Sequence, residues 1–150
     1  MGERRYVPPA TADRLFNALV AMLARLGISI MGSRVLAVRG RKSGQWRTVP
    51  VNLLDVGGVR YLVAPRGETE WVRNLRTSGG GELRLASRRE AFTATELGDA
   101  DKVPILRAYI ARWWFEVKRF FDLADANAPD EELARVAPQH PVFRLERAPT

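Results

Sequence analysis

A cationic segment, Val38–Val51, holds the residues of this chain that are best suited to bind an anion. Its four cations are Arg39, Arg41, Lys42 and Arg47, and Gly40, Ser43 and Gly44 supply a hydroxyl and flanking glycines. Glycines in a turn let backbone N–H groups approach an anion, and the guanidinium fork of arginine matches the oxygens of a phosphate. Because the sequence has no carboxylate between Arg34 and Asp55, we expect no local acid to neutralise these cations. The segment predicts a phosphate-binding turn, and a basic turn that is only solvated is the alternative.

The overall charge also favours an anionic partner. The chain has 150 residues, a formal net charge of +7 and enough hydrophobic residues (46%) for one folded domain, residues 1–150. Such a charge fits a nucleic acid, an anionic lipid, or a ligand with phosphate or several carboxylates. The aromatic residues lie mostly at core-like positions and do not alternate with the cations, as a stacking platform for nucleic acid requires. We therefore expect no nucleic-acid partner.

The residue types exclude several classes of site. The sequence has no cysteine, so disulfides, thiolate metal sites and cysteine nucleophiles are excluded. His140 is the only histidine, and its place before Pro141 favours the start of a strand over proton transfer. The acids Asp130–Glu132 favour the beginning of a helix over a metal site. We predict neither a metal site nor a catalytic triad.

Strands, turns and helices must position the cationic segment. Apolar runs and turn residues predict strands in RVLAVRG, QWRTVPVNLLD and VRYLVAP, which together form a β-meander. ELRLAS and EAFTATEL predict a hairpin that turns at Arg88-Arg89, and HPVFRLER predicts a closing strand. TEWVRNLRTSGGG predicts a short helix with Thr69 as its N-cap. A long helical segment is predicted from Asp99 to about Leu123, and DEELARVA predicts another short helix.

Amphipathic spacing predicts an N-terminal helix from Asp13 to Leu26. Its apolar stripe is Leu15, Leu19, Met22, Leu23 and Leu26. We expect this stripe to pack against the rest of the fold, against a second subunit in a homodimer, or at a membrane surface with anionic lipid. The N-terminus does not resemble a signal peptide, and no apolar run approaches the ~18 residues that span a bilayer. We therefore expect a cytoplasmic protein, with peripheral contact at the inner face of the membrane as one role of the helix.

Three motifs together resemble one protein family. GRKSGQWRTVPV, the strand pair that ends in YLVAPRG, and EWVRNLR are similar to the deazaflavin-dependent nitroreductase and quinone reductase family, whose members use coenzyme F420. The resemblance covers Val35 to Leu97 and implies an α+β fold, a split β-barrel related to flavin mononucleotide-binding oxidoreductases, with the N-terminal amphipathic helix and additional helices around it. The implied segments are an N-terminal extension and helix (1–33), barrel strands (34–98), a helical segment (99–139), and a closing strand and tail (140–150).

The resemblance also implies which residues bind the cofactor. The phosphate and polyglutamate tail would be held by Arg41, Lys42, Ser43 and Arg47. The deazaflavin ring would lie beside Thr48, Val49, Pro50, Val51 and Asn52. Further contacts would come from Val63, Ala64, Pro65, Arg66, Trp71, Val72, Arg73 and Asn74. The substrate segment of the family corresponds here to Tyr109 and Trp113.

An activity follows from the same resemblance. A reduced deazaflavin supplies the hydride itself, so the protein need only bind it, orient the acceptor and exclude competing reactions. The resemblance implies an F420H2-dependent reductase whose acceptor is small and hydrophobic: a quinone, a nitroaromatic compound or an activated enone. The alternative keeps the barrel but binds flavin mononucleotide, or a fatty acid or other lipid, without turnover.

Overall fold

One sheet of seven antiparallel strands forms the centre of the fold. A computed structural model describes residues 13–15, 17–19, 21 and 32–149. The strands are β1 (Ser33–Arg39), β2 (Trp46–Asn52), β3 (Leu54–Val56), β4 (Val59–Val63), β5 (Gly80–Leu85), β6 (Arg88–Glu96) and β7 (Val142–Arg147). Their order across the sheet is β2-β1-β5-β6-β7-β4-β3, so β2 and β3 are the edge strands.

A single residue, Leu53, joins the two edge strands and accounts for the curvature of the sheet. β2 ends at Asn52 beside β1, whereas β3 begins at Leu54 and pairs with β4. Because only Leu53 separates them, the two edges must meet at this corner, and the sheet curls into a half-barrel. The predictions of one continuous strand over QWRTVPVNLLD and of a β-meander are wrong here, since the chain crosses from one edge of the sheet to the other.

Helices of two kinds connect the strands in the described range 32–149. The α-helices are α1 (Glu70–Ser78), α2 (Val103–Val117) and α3 (Asp130–Val136). Short 3-10 helices lie at Asp99–Asp101, Lys118–Phe120 and Ala137–Gln139. The long helix predicted from Asp99 to Leu123 is therefore broken into pieces, and within α2 the backbone of Trp113 (φ −124°, ψ 22°) departs from helical values.

Apolar side chains pack on both faces of the sheet. The interior of the half-barrel is filled by Leu36, Val38, Leu62, Leu83, Phe92, Phe143 and Leu145. The outer layer, which includes α2 and α3, contains Leu54, Val63, Leu106, Ile110, Trp113, Leu133 and Val142. Leu62 and Val63 are neighbours on β4 but belong to different layers, as strand alternation requires. Val72 and Leu75 of α1 join the interior layer, so this helix closes one end of the half-barrel.

The predicted N-terminal helix falls only partly on described residues. Residues 13–15, 17–19 and 21 are helical, and Asp13 forms an ion pair with Arg119 after α2. Leu15 and Leu19 are 71% and 46% exposed. The rest of the predicted stripe lies outside the described residues, at Met22, Leu23 and Leu26. No helix in the described part of the chain has the length and apolar character needed to cross a membrane.

Candidate functional site

A cavity of about 580 Å³ opens between the β1–β2 loop and the beginning of α1. This larger cavity is lined by Val38, Gly40, Arg41, Lys42, Ser43, Arg47, Thr48, Val49, Arg66, Thr69, Glu70, Trp71 and Asn74. The fold therefore brings the cationic segment against the helix of the EWVRNLR motif, which lies far from it in the sequence. Most of the predicted cofactor residues meet in this one space.

The β1–β2 loop holds its cations on a tight backbone turn. The Gly40 N–H donates to the Gln45 carbonyl at 2.8 Å, and the Gly44 N–H donates to the Gly40 carbonyl at 2.8 Å. Gly44 has a φ of 72°, a left-handed conformation that favours glycine. The Ser43 hydroxyl oxygen accepts a hydrogen bond from the Gln45 N–H at 3.2 Å, so it already has a role within the turn. The turn fixes the backbone from which Arg41 and Lys42 reach the larger cavity.

Arg41 is held by α1 and is not a free cation. Its guanidinium lies 2.6 Å from a carboxylate oxygen of Glu70 and donates to the side-chain oxygen of Asn74 at 2.8 Å. Its backbone N–H donates to the same Asn74 oxygen at 3.0 Å. The hydrogen bond and charge of Arg41 hold the pKa of the Glu70 carboxyl below its usual value. No local acid pairs with Arg41, as the sequence predicted, but folding supplies a distant carboxylate that no local search of the sequence could find.

Lys42 and Arg47 differ from Arg41. Both side chains line the larger cavity, and neither side chain makes a hydrogen bond or an ion pair with another described residue. Cations that face a cavity without such a partner can offer their N–H groups to an anionic ligand at little cost. Within the predicted phosphate-binding turn, the geometry therefore favours Lys42 and Arg47 most as contacts to an anion.

A smaller cavity of about 160 Å³ adjoins the larger one. Four residues, Val49, Arg66, Thr69 and Trp71, line both. The smaller cavity is also lined by the predicted ring-contacting residues Pro50, Val51, Asn52, Val63, Ala64 and Pro65. The two predicted halves of the cofactor site, cationic and apolar, are thus adjacent spaces with a common wall.

Thr69 lies in that common wall and immediately precedes α1. Its side-chain oxygen is buried and has no hydrogen-bond partner among the described residues, and it does not cap the helix. Buried hydroxyls normally have partners, so this oxygen is a candidate ligand contact. The sequence predicted Thr69 only as an N-cap and did not single out Glu70 as a site residue. Their position at the start of the EWVRNLR motif is the signal that could have identified both.

Tyr109 of α2 closes the inner side of the smaller cavity. Its side chain is 2% exposed, and burial raises the pKa of its phenol, with the charge of Glu116 acting in the same direction and a hydrogen bond with Asn52 opposing it. Asn52 also donates to a carboxylate oxygen of Glu116 at 3.5 Å. The phenol therefore stays protonated at neutral pH and can donate a hydrogen bond. Glu116 was not predicted, because no local motif marks it.

Three predicted residues lie outside both cavities. Val72 is fully buried in the interior layer of the half-barrel. Arg73 is exposed on the next position of α1. Trp113 is 1% exposed in the outer layer, where its ring centroid lies 5.1 Å from that of Tyr109. Tyr109 therefore lines the smaller cavity, whereas Trp113 packs against Tyr109 and does not line it.

His140 and the acidic residues form no further site in the described part of the chain. His140 is fully buried before β7, with its Nδ1 3.4 Å from the Ala64 carbonyl oxygen and its ring stacked on Phe121 at 4.0 Å. It lines neither cavity. Among the described residues, no three histidine, aspartate or glutamate side chains converge as metal ligands would.

One family model matches most of the chain. That model is described as F420H(2)-dependent quinone reductase, and it matches residues 14–121. The chain belongs to this family. The match includes every residue that lines the two cavities except Asp13. The resemblance carried by the three sequence motifs is confirmed, and the protein is an F420H2-dependent reductase. No curated protein sequence matches the chain.

Solved structures share the fold of this F420H2-dependent quinone reductase family member. A protein described as a domain-swapped dimer has a TM-score of 0.56 at 16% identity, over 91% of this chain and 100% of its own. An F420-H2 dependent reductase has a TM-score of 0.53 at 18% identity, over 77% of this chain and 94% of its own. A nimc/nima family protein from Clostridium acetobutylicum has a TM-score of 0.51 at 14% identity, over 76% of this chain and 73% of its own. At these identities the likeness shows the fold alone, and it confirms the predicted split barrel with surrounding helices.

Proposed function

We propose that this chain binds coenzyme F420 across the two adjoining cavities and reduces a small hydrophobic acceptor. The observation that carries the proposal is the wall of Val49, Arg66, Thr69 and Trp71 that both cavities share. Because of this wall, one ligand can place an anionic tail in the larger cavity and a flat ring in the smaller one. The donor set fits such a ligand, since it combines cations with an apolar surface.

The anionic tail is assigned to the β1–β2 loop and the start of β2. Lys42 and Arg47 offer charge-assisted hydrogen bonds to phosphate and carboxylate oxygens. Arg41 is positioned by Glu70 and Asn74, so it contributes charge while sharing its N–H groups with these partners. The remaining tail contacts that we propose are Ser43, Arg66 and the Thr69 hydroxyl. Arg73 and Val72 have no direct contact in this proposal, because neither lines a cavity.

The ring is assigned to the surface between β2 and the end of β4. Thr48–Asn52 and Val63–Arg66 would hold its edges, and Trp71 would cover it from α1. Reduced F420 supplies a hydride when it is bound. The chain itself excludes water with Val49 and Val51, and Tyr109 offers a protonated phenol to an oxygen of a quinone, nitro compound or enone. In this proposal Trp113 supports the Tyr109 ring and does not touch the acceptor.

Turnover assays test this function. The oxidation of F420H2 would be followed by absorbance with a soluble quinone, a nitroaromatic compound and an activated enone in parallel. We expect saturable turnover with at least one of these classes. Tight F420 binding without turnover of any of the three would contradict the proposed acceptor class, and would favour the alternative of a barrel that only binds its ligand.

The N-terminal helix is proposed to bring the enzyme to a membrane that contains the acceptor. Asp13 and Asn17 line the smaller cavity, while Leu15 and Leu19 of the same helical segment are exposed. Exposed leucines beside a cavity suit contact with the surface of a lipid bilayer. Removal of residues 1–27 should abolish salt-sensitive binding to anionic vesicles and leave cofactor binding in place. An intact protein that ignores vesicles, but forms a homodimer that the truncated protein cannot form, would assign the helix to a second subunit.

A further inference from the structure

A third cavity of about 600 Å³ lies at the opposite end of the half-barrel from α1. It is lined by Arg34, Arg60, Leu83, Leu85, Arg88, Arg89, Glu90, Ala91, Arg147, Ala148 and Pro149. Five of these residues are arginines and one is an acid, which leaves an excess of four positive charges. We call this space the arginine cavity, and the family match does not explain it because the cavity shares no residue with the other two.

Most of these arginines occupy positions that strand alternation assigns to the barrel interior. Arg34 stands two residues before Leu36 on β1, Arg60 two before Leu62 on β4, and Arg147 two after Leu145 on β7. All three leucines belong to the interior layer. Inward positions are normally apolar, but these lie at the open end of the half-barrel, where Arg34 and Arg60 are partly buried and the Arg147 side chain is 81% exposed. Three strands thus place arginines around one open end, and this concentration of charge needs a physical reason.

Two further arginines come from the start of β6. The hairpin predicted to turn at Arg88-Arg89 turns instead at Ala86 and Ser87, where Ala86 has a φ of 55°. Both arginines therefore lie in β6, and Arg88 pairs with Leu85 across the ladder. Arg88 shares its face of the strand with Phe92 of the interior layer. Its side chain is directed to the same end of the half-barrel as the other inward arginines.

Glu90 is the one acid among the described residues that line the arginine cavity. Glu90 forms ion pairs with Arg60 and, at 3.2 Å, with Arg147. The side chains of Arg88 and Arg89 make no hydrogen bond or ion pair with any described residue. Like charges that are held close together in a concave space repel one another, and an anion that enters the space relieves this repulsion.

We propose that the arginine cavity is a second anion site that binds a compact, multiply charged phosphate group such as a phosphate ester or a pyrophosphate. All its cations are arginines, whose planar forks bind phosphate oxygens in pairs. The site is separate from the proposed F420 site: Arg34 and Val38, which line the two cavities, are about 13 Å apart along β1, with buried Leu36 between them. Both ligands can therefore bind at once.

Calorimetric titration with inorganic pyrophosphate tests the site in the full-length protein. The larger cavity would also attract this anion, so the starting protein is the Lys42→Gln/Arg47→Gln variant. We expect it to bind one pyrophosphate, and we expect Arg88→Gln added to it to weaken binding at least about tenfold, the scale of one charge-assisted hydrogen bond. Arg144→Gln is the matched control, because it removes the same charge from the outer face of β7. It should change the Kd less than about twofold.

Three results would overturn the proposal: no binding by the starting variant, equal losses in Arg88→Gln and Arg144→Gln, or citrate binding as tight as pyrophosphate binding. Should Arg88→Gln unfold, Arg88→Lys keeps the charge but removes the fork, and it should still weaken binding several-fold. Vesicles that contain phosphatidic acid identify the source of the phosphate. Binding to these vesicles that is tighter than binding to phosphatidylserine vesicles of equal charge, with the difference lost in Arg88→Gln, assigns the site to a lipid headgroup. Pyrophosphate binding without this difference assigns it to a free phosphate compound.

Discussion

The larger and the smaller cavity adjoin, yet they are built in different ways. The larger cavity takes most of its cations from one short segment, the β1–β2 loop and the start of β2, and faces them with the first turn of α1. The smaller cavity is assembled from β2, the end of β4 and α2, which meet only in the folded sheet. Because the two cavities are built from different elements, anchoring of the ligand and the chemical step are separable. Substitutions in the larger cavity should therefore change F420 binding, and those in the smaller cavity should change turnover.

The largest effect is expected for the cations of the larger cavity. Lys42→Ala and Arg47→Ala should each weaken F420 binding by about 1 to 3 kcal/mol, because each removes a charge-assisted hydrogen bond. The melting temperature of the cofactor-free protein should barely change, since neither side chain makes a hydrogen bond or an ion pair with another described residue. Fluorescence titration and thermal unfolding measure the two quantities.

Arg73→Ala provides a matched control for these two variants. Arg73 is an exposed cation near the same cavity, but it does not line it. Its loss should weaken F420 binding by less than about 0.5 kcal/mol. An effect as large as that of Arg47→Ala would show that general charge, and not the cavity, holds the ligand.

A smaller effect, on turnover alone, is expected in the smaller cavity. Tyr109→Phe should lower kcat/KM for the acceptor about tenfold, because it removes one hydrogen-bond donor from the wall of the cavity. The Kd of F420 should stay within about twofold of its original value, since this ligand is anchored in the other cavity. Tyr61→Phe is the control, because Tyr61 is partly buried but lines neither cavity. If Tyr109→Phe weakened F420 binding as much as turnover, the two cavities would not have separate roles.

The smallest effect on F420 binding is expected at the pair of Arg41 and Glu70. Here the informative result is whether binding becomes tighter or weaker. Glu70 lines the larger cavity and holds Arg41 at 2.6 Å. Glu70→Gln removes a negative charge that competes with the ligand, so F420 should bind about two- to fivefold more tightly. Glu68→Gln, which breaks a pair with Arg76 outside the cavity, should leave the Kd unchanged. Weaker binding in Glu70→Gln would mean that the carboxylate is needed to position Arg41.

Parts of the fold and of the site could be predicted from the sequence where a few consecutive residues determine them. The β1–β2 loop could be predicted because its glycines, hydroxyl and cations are consecutive. The prediction of α1 is likewise confirmed: the helix follows Thr69 and ends at Gly79, which has a φ of 74°. Both are features whose physical cause lies within a few residues.

Features that depend on distant parts of the chain could not be predicted. The break at Leu53 is caused by closure of the half-barrel, and it is invisible in an apolar run that suits one long strand. The pairing of Arg41 with Glu70 joins two segments that only folding brings together. The same holds for Glu116 beside Asn52, since no motif links them.

The most direct test of the account is a fluorescence titration of the purified protein with F420 and, separately, with flavin mononucleotide. Flavin mononucleotide has a phosphate but lacks the carboxylate tail, so it can use fewer of the cations in the larger cavity. We predict that F420 binds at least about tenfold more tightly, and that the Lys42→Ala/Arg47→Ala variant loses most of this preference. Equal binding of the two cofactors, or tighter binding of flavin mononucleotide, would contradict the assignment of the two cavities to F420.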